Sequence, residues 1–288
     1  MDINNISKVV LRDLAHKLKQ MDAGEVDPRW TLPFNLEPHL YPLNWLTGRY
    51  YTGSNVVLLD GYGSEFLTLR QIEALQRRKK YQHIRLREGC ESCTALFYVA
   101  AGSAPVIRRY ELYSLDDIDG LELRRHGKIY RHTPTGEQAE LETAIRTYCQ
   151  QAGIAVRHIK SAYCRFVPDR RRIDIPCSHY FRSYAEYLSS LAHETVHSTA
   201  AYLGRDLEND RDMEGYAVEE LIAECGAALL LTLYSVEDEV TGHNHAAYIC
   251  GWLRRFTAPD LMLDAAMNTA REAVDRIING SDLAVKPC

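Results

Sequence analysis

The sequence has 288 residues, a length typical of about two ordinary domains. Hydrophobic residues make up 46% of it and charged residues 25%, which excludes a disordered chain, a collagen-like repeat and a disulfide-rich miniprotein. No stretch approaches the run of about 18 apolar residues that a membrane span needs. Residues 1–14 lack the apolar core of a secretory signal, so we expect a cytoplasmic protein without a membrane partner.

The net charge of −5 is unevenly distributed along the chain. Residues 1–130 contain 18 Lys and Arg against 16 Asp and Glu, whereas the remainder contains 16 against 23. This asymmetry predicts two domains with different partners. The eight cysteines are scattered, which in a cytoplasmic chain favours free thiols over disulfides.

The first half of the chain mixes helices and strands with one long irregular segment. Apolar residues at helical spacing predict an amphipathic helix over residues 2–22. Residues 27–55 are rich in proline, glycine and aromatic side chains, which indicates an irregular segment with a function. A helix is then predicted over 68–78, followed by strands at 84–86, 95–100 and 109–114.

A basic stretch lies between Arg70 and Arg87, where seven Lys and Arg residues accompany one acid, Glu73. One interpretation is a solvated helix end whose cations complement the helix dipole. The other is a phosphate-binding patch beside stacking aromatic residues. Charge and aromatic content alone favour neither.

The polar stretch at 127–136 predicts a linker between a domain of residues 1–133 and a domain of residues 134–288. The second domain is predicted to be mainly helical with a small sheet. Its predicted elements are a helix over 137–153, a hairpin of strands near 162–167 and 172–175, and helices over 183–204, 214–234, 245–256 and 260–278. His245 is expected at the start of its helix, near the surface.

The predicted helix over 183–204 contains the sequence His-Glu-Thr-Val-His at residues 193–197. His193 and His197 are four residues apart and share one helical face, so both imidazoles can reach one Zn²⁺ ion. Glu194 then lies beside the metal and can act as the general base that polarises a bound water. The motif predicts a catalytic zinc site.

A third ligand is needed, because catalytic zinc has three protein ligands and one open position. The continuation Gly-x-x-His is absent, since Ala200 and Leu203 occupy those positions. The next predicted helix offers Glu220 as the ligand and Glu224, one turn later, as a hydrogen-bond partner of a ligand imidazole. Glu219 competes with Glu220 for the role of ligand.

Five further motifs, in their order along the chain, resemble the ArdC antirestriction family of conjugative plasmids. They are Pro42–Asn55 (Pro-x-Asn-x-x-Thr-Gly-x-x-Tyr-x-Gly-x-Asn), Phe66–Gln71, Ile84–Gly89, Tyr113–Leu121 and Asn244–Leu253. Together with the His-Glu-x-x-His and Glu-Glu-x-x-Ala-Glu motifs, the resemblance extends over nearly the whole chain.

The resemblance implies an α+β protein of two domains. The first would be a mixed α/β domain that binds single-stranded DNA, and the second a mainly helical zincin-like metallopeptidase domain. It also implies protection of incoming plasmid DNA from restriction during conjugation. Residue types and motif positions then suggest the DNA contacts, by base stacking and phosphate binding: Trp30, Asn44, Trp45, Arg49, Tyr50, Tyr51, Asn55, Arg77, Arg78, Lys79, Lys80, Arg85 and Arg87.

Three functional hypotheses stay open at this point. The favoured one is an antirestriction protein that binds single-stranded DNA and carries a zinc-dependent, peptidase-like site, with Mn²⁺ or another divalent ion as an alternative metal. Double-stranded DNA is a further candidate ligand. The second hypothesis is a metallopeptidase that cleaves a DNA-associated protein, and the third is a metal-stabilised interaction module without turnover.

Overall fold

The computed structural model describes residues 2–29, 31, 33, 42–101, 104–124, 129–207 and 213–280. Its helices are α1 (Ile3–Asp22), α2 (Ser54–Leu58), α3 (Leu69–Gln76), α4 (Gly136–Gln151), α5 (Tyr184–Ser198), α6 (Ala200–Leu203), α7 (Met213–Leu233), α8 (Glu239–Leu253) and α9 (Pro259–Asn279). Its strands are β1 (Leu43–Asn44), β2 (Glu65–Leu67), β3 (Arg85–Leu86), β4 (Cys93–Ala101), β5 (Ala104–Ser114), β6 (Ile118–Asp119), β7 (Ala155–Ile159), β8 (Arg165–Val167) and β9 (Arg172–Pro176).

The chain forms two units, and both are discontinuous in sequence. The helical unit comprises residues 1–34, 130–157 and 163–288, and the sheet unit comprises residues 35–129 and 158–162. The α+β class expected from the sequence is confirmed by these elements.

The division differs from the predicted domains of residues 1–133 and 134–288 in the placement of the first helix. The boundary at residues 129–130 lies close to the predicted linker, but α1 packs against α7, α8 and α9 of the helical unit. Asn244 also makes two 3.1 Å hydrogen bonds with the backbone of Thr31. The amphipathic pattern of α1 shows that one face is buried, but not which partner covers it.

The sheet unit is built on a four-stranded sheet in the order β1-β2-β5-β4. Strands β4 and β5 are longer than predicted and pair antiparallel from Cys93 with Leu112 to Ala101 with Ala104. Strand β2 pairs with β5 only at Tyr113 and Ser114. Within the described part of the chain, the outer portion of the β4–β5 hairpin is therefore a two-stranded ribbon.

Residues 158–162 return to the sheet unit because Asp116 binds them. This buried carboxylate accepts hydrogen bonds from the Lys160 backbone at 2.7 Å and the Ser161 hydroxyl at 2.6 Å. Each bond gives a buried carboxylate oxygen a hydrogen-bond donor, and a carboxylate buried without donors is costly.

The helical unit has its core between α5 and α7, which carry the motifs identified in the sequence. The Ser183 hydroxyl and the Glu186 carboxylate form a capping box at the start of α5. A β-carbon added at Gly226 of α7 would lie 2.6 Å from Cγ2 of Val196 on α5, so the two helices approach closely because residue 226 has no side chain.

The predicted single helix over 183–204 is divided into α5 and α6 at Thr199. The hydroxyl of Thr199 and the guanidinium of Arg205 both donate to the carbonyl of Val196. Side-chain donors thus occupy a carbonyl near the end of the helix, which favours a break there.

No helix in the described part of the chain is both long and apolar enough to cross a membrane. The seven cysteines for which the structure gives a position are free thiols, as predicted. Among them, Cys90 is partly exposed and Cys93 is buried.

Candidate metal centre

Two imidazoles on α5 point to one place in the helical unit. His193 and His197 lie four residues apart on the same helical face, as the motif predicts. Their Nε2 atoms are 3.1 Å apart. Two nitrogen ligands at this separation can share one metal ion.

Helix α7 adds the carboxylate of Glu220 to these imidazoles. Its Oε2 lies 3.5 Å from Nε2 of His193, and its Oε1 lies 3.7 Å from Nε2 of His197. The three residues form a cluster whose ligand atoms all lie within 4.8 Å of one another. Ligands bound at about 2.1 Å around a tetrahedral zinc ion lie about 3.4 Å apart, so the cluster has the size that such an ion requires.

The remaining nitrogen of each imidazole is paired with a carboxylate of α7. Nδ1 of His193 lies 2.8 Å from Glu224, and Nδ1 of His197 lies 2.9 Å from Glu219. An ionised carboxylate only accepts hydrogen bonds, so each Nδ1 carries the proton. The Nε2 atoms of both rings are then directed at the shared position, where a bound metal ion would take the place of any Nε2 proton. This is the arrangement found around metal-binding histidines.

The structure therefore places Glu224 where the sequence predicted it and gives Glu219 a different position. Glu219, weighed as an alternative ligand, lies against Nδ1 of His197 and away from the Nε2 atoms. The two carboxylates hold one imidazole each, and Glu220 lies between them in the sequence and faces both rings.

Arg205 fixes Glu219 in turn. Its guanidinium makes two hydrogen bonds of 2.8 Å to the carboxylate and a third to the carbonyl of Val196. Burial lowers the pKa of Arg205, and Glu219 opposes that effect. The sequence contained no signal for Arg205, because it follows α6 in an irregular segment.

His245 holds Glu224, although the sequence predicted a position near the surface for it. Helix α8 begins at Glu239, six residues earlier than predicted, so His245 lies in its interior and is buried. Its Nδ1 is 2.7 Å from Glu224, whose other oxygen binds His193. The sequence pattern could have indicated this buried position, because residues 245, 248 and 252 share one helical face.

The cluster balances its buried charges internally. Burial raises the pKa of Glu220, but His193, His197 and Tyr248 outweigh burial and hold that pKa at about 2. Burial likewise opposes ionisation of Glu224, whose pKa is lowered to about 2 by His245 and His193. For His193, burial disfavours the charged ring, but the two carboxylates raise its pKa well above the usual range.

Glu194 lies beside the cluster on the wall of a cavity of about 420 Å³. Burial raises the pKa of its carboxyl, and the neighbouring imidazoles and a backbone hydrogen bond from Phe166 oppose the shift. Carboxyls with a raised pKa are suited to accepting and returning a proton. The cavity is lined by the cluster together with Cys164, Arg165, Phe166, Pro168, Asp206, Leu207, Gly215, Tyr216, Glu219 and Tyr248.

Residues 143–268 match the family model described as a zincin-like metallopeptidase. The matched segment contains both histidines and all three acidic residues of α7 that contact them. This segment is similar to the zincin-like metallopeptidases. The fold predicted for the C-terminal part of the chain is thus confirmed.

Two relatives match this chain over most of its length. Two proteins named DNA primase TraC from Escherichia coli are 26% and 27% identical to it, over 91% and 92% of the chain. The chain spans 26% of the length of one and 19% of the other.

Among solved structures, the antirestriction protein ArdC from plasmid R388 is similar to this chain. In its Mn(II)-bound form it is 24% identical over 100% of both chains, with a TM-score of 0.42. In its metal-free form the identity is 23%, over 94% of this chain and 98% of that one, with a TM-score of 0.39. This similarity and the motif resemblance given above concern the same family.

Three of the predicted DNA contacts make hydrogen bonds within the sheet unit instead. Asn44 is buried and bonds to Tyr51 and Gln71 at 3.0 Å. Asn55 donates to the carbonyl of Leu96 and accepts from its N–H, which completes the outer edge of β4. These motif residues stabilise the fold, so we do not include Asn44, Tyr51 and Asn55 in the proposed DNA surface.

Two more of the predicted basic contacts are also engaged. Arg85 donates to the carbonyls of Gln82 and Ile84, and Arg87 pairs with Asp119 at 2.9 Å. Arg87 also donates to the carbonyl of His158. Both guanidiniums therefore already donate hydrogen bonds to acceptors within the sheet unit.

The other predicted contacts remain at the surface. Arg49, Tyr50 and residues 77–80 are exposed, while Trp45 is half-buried and its indole N–H donates to the carbonyl of Glu122. Trp30 lies outside the described residues. The four consecutive cations Arg77–Lys80 follow α3 directly and are the densest exposed positive charge of this stretch.

The ribbon of β4 and β5 carries basic and aromatic residues that the sequence analysis did not select. Arg108 and Arg109 are exposed, as are 41% of Phe97 and 56% of Ile107. Phe97 lies opposite Arg108 in the register and packs edge-on against Tyr110. Strand alternation could have identified Phe97 and Arg108, because opposite residues of a hairpin share a face. Arg109 lies opposite Leu96 on the other face.

Proposed function

We propose that the helical unit binds one divalent metal ion through His193, His197 and Glu220 and hydrolyses a peptide bond. The observation that carries this proposal is the pairing of both Nδ1 atoms with carboxylates of α7. That pairing orients the Nε2 atoms of both imidazoles toward one point beside a third ligand. A purely structural cluster would have no need to direct three donors into an open cavity.

The donor set of two imidazole nitrogens and one carboxylate oxygen is typical of catalytic zinc, and we propose Zn²⁺ as the metal. Mn²⁺ and other divalent ions accept the same donors. Metal analysis of the purified protein distinguishes these cases.

A metal ion at this site would act as a Lewis acid toward a peptide carbonyl and lower the pKa of a water molecule. The Glu194 carboxylate, beside His193 and on the cavity wall, would take the proton from the attacking water and return it to the leaving amine. The raised pKa of Glu194 fits that double role.

We propose in addition that the sheet unit binds single-stranded DNA. The exposed cations Arg77–Lys80 and the ribbon residues Phe97 and Arg108, which share one face of the ribbon, supply positive charge and aromatic surface. Such a surface holds phosphates electrostatically and stacks bases without sequence preference. The similarity to proteins named DNA primase supports a DNA partner.

From the motif resemblance we propose that the biological role is protection of incoming plasmid DNA from restriction. Peptidase activity could itself be the protective step, with a DNA-associated protein as substrate. Alternatively the metal could stabilise an interaction module that never turns over.

Glu194→Gln separates these roles, because the amide keeps the size of the side chain but cannot accept the proton. DNA transfer into a restricting host is measured with the wild type, with Glu194→Gln and with a matched control, Glu272→Gln on the exposed face of α9. If peptide hydrolysis protects, only Glu194→Gln loses protection. Protection that survives this change would exclude hydrolysis as the protective step.

A further inference from the structure

Tyr248 of α8 is bound directly to the third ligand of the cluster. Its hydroxyl donates a 2.7 Å hydrogen bond to Oε2 of Glu220. Its ring packs edge-on against His193, with ring centres 6.1 Å apart, and edge-on against Trp252 on its own helix at the same distance. These contacts restrict both the phenol oxygen and the ring that carries it.

Three glutamates of α7 lie at the site, and each is held by a side chain from outside that helix. Arg205 holds Glu219, and His245 holds Glu224. For Glu220 the corresponding partner is Tyr248. A glutamate side chain has three rotatable bonds, so a ligand without such a partner would pay more conformational entropy on binding a metal.

The hydrogen bond also distinguishes the two oxygens of Glu220. Oε2 accepts the phenol proton and also lies 3.5 Å from Nε2 of His193, whereas Oε1 faces Nε2 of His197 at 3.7 Å. The phenol thus occupies one lone pair of Oε2 and leaves Oε1 without this donor. A carboxylate that binds through one oxygen leaves room for a water molecule, and a carboxylate that binds through both fills that position.

We propose that Tyr248 is a positioning residue that holds Glu220 as a ligand through one oxygen and so keeps a coordination position open. The inference rests on the metal site proposed above. Tyr248 acts through Glu220, and its effect is therefore on metal binding as well as on any reaction.

The test uses Tyr248→Phe in the full chain, with Tyr184→Phe as the matched control. The Tyr184 hydroxyl donates to Glu142 at 2.5 Å in the same unit, and Tyr184 is not among the described residues that line the cavity. Both variants thus lose one phenol–carboxylate hydrogen bond, but only Tyr248→Phe loses one at the cluster. Thermal unfolding of the metal-free proteins checks that each variant folds.

Zn²⁺ affinity is measured by competition with a chromophoric chelator, and Co²⁺ is used for visible spectra at saturation. We expect Tyr248→Phe to bind Zn²⁺ about 10- to 100-fold more weakly, the usual loss when an outer partner of a ligand is removed. Its Co²⁺ absorption spectrum should change, because a second carboxylate oxygen takes the place of the water molecule. Tyr184→Phe should match the wild type in both measurements.

An affinity or a Co²⁺ spectrum of Tyr248→Phe that equals the wild type would overturn the positioning role while leaving the metal site intact. Failure of the wild type itself to bind Zn²⁺ or Co²⁺ would instead overturn the proposed metal site. The two failures are therefore distinguishable.

Discussion

Glu224 accepts a 2.8 Å hydrogen bond from Nδ1 of His193, across the contact between α5 and α7. This bond determines which nitrogen of His193 is free to bind a metal. It joins the two helices that are also packed together at Val196 and Gly226. Helix packing and ligand orientation in this unit are therefore coupled.

The carboxylates behind the imidazoles should tune metal affinity. We expect Glu224→Gln and Glu219→Gln each to weaken Zn²⁺ binding about 10- to 100-fold, because an amide is a poorer acceptor for Nδ1–H. Glu272→Gln, exposed on α9, should leave the affinity unchanged. Chelator competition measures all three, and equal affinities for wild type and both cluster variants would contradict the assigned roles.

The close approach of α5 and α7 should not tolerate a side chain at residue 226. Gly226→Ala places a β-carbon 2.6 Å from Cγ2 of Val196, and we expect it to lower the free energy of unfolding by about 1–3 kcal/mol. Gly251→Ala on α8 is the matched control, because no atom lies within 4 Å of its added β-carbon. It should raise stability by up to about 1 kcal/mol through helix propensity.

Urea unfolding of the metal-free protein checks both glycine variants. A Gly226→Ala protein as stable as Gly251→Ala would show that the helices can separate without cost.

Asp174 on β9 should make stability depend on acid pH. It is fully buried, and although burial raises its pKa, Arg157 and Arg172 at 2.7 Å outweigh burial and lower it. A lowered folded-state pKa stabilises the fold above the unfolded pKa of about 3.9, and this stabilisation is lost as the pH falls through the folded value.

We therefore expect Asp174→Asn to cost about 1–3 kcal/mol at pH 7, since two guanidiniums lose an ionised acceptor. The difference from the wild type should shrink below about pH 4. Asp264→Asn, exposed on α9, serves as the control. A difference that stays constant from pH 7 to pH 3 would rule out this linkage.

The sheet unit should lose DNA affinity when its exposed cations are removed. Replacing Arg77, Arg78, Lys79 and Lys80 with Ala should make the plot of log affinity against log salt concentration less steep. The magnitude of its negative slope should fall by about 0.7 for each phosphate that the protein no longer neutralises. Four exposed cations of the helical unit, Lys8, Arg12, Lys19 and Arg254, are the matched set for alanine replacement. Titration of a labelled oligonucleotide from 50 to about 200 mM salt gives the slopes. Equal slopes for both sets would remove Arg77–Lys80 from the DNA surface.

Phe97 on the ribbon should contribute by stacking. We expect Phe97→Ala to weaken oligonucleotide binding by about 1–3 kcal/mol, the usual value for one base stacked on an aromatic ring. Val57→Ala, at a position that is 79% exposed on α2, is the control. If Phe97→Ala bound the oligonucleotide as tightly as the wild type, stacking on Phe97 would be excluded as a contribution to DNA binding.

The elements of the metal cluster were predictable because they follow local rules. Two histidines four residues apart share a helical face, and Glu220 and Glu224 repeat that spacing on α7. The capping box at Ser183 likewise marks a helix start within four residues of sequence. Such signals depend on neighbours along the chain, which a sequence displays.

The remaining parts depend on contacts that are distant in sequence. Arg205, His245 and Tyr248 complete the cluster through the packing of α6, α7 and α8. The placement of α1 was missed for the same reason. Asn44 and Asn55 looked like binding residues in a motif, but their acceptors and donors are satisfied by Gln71 and by the edge of β4.

The central claim is that His193, His197 and Glu220 hold one divalent metal ion. Elemental analysis of the purified full chain, wild type and His197→Ala, tests it most directly. We predict about one equivalent of metal in the wild type and less than about a tenth in the variant, because a three-ligand site that loses one imidazole no longer holds the ion. A wild type that contains and binds no metal, or a variant that retains a full equivalent, would contradict the account.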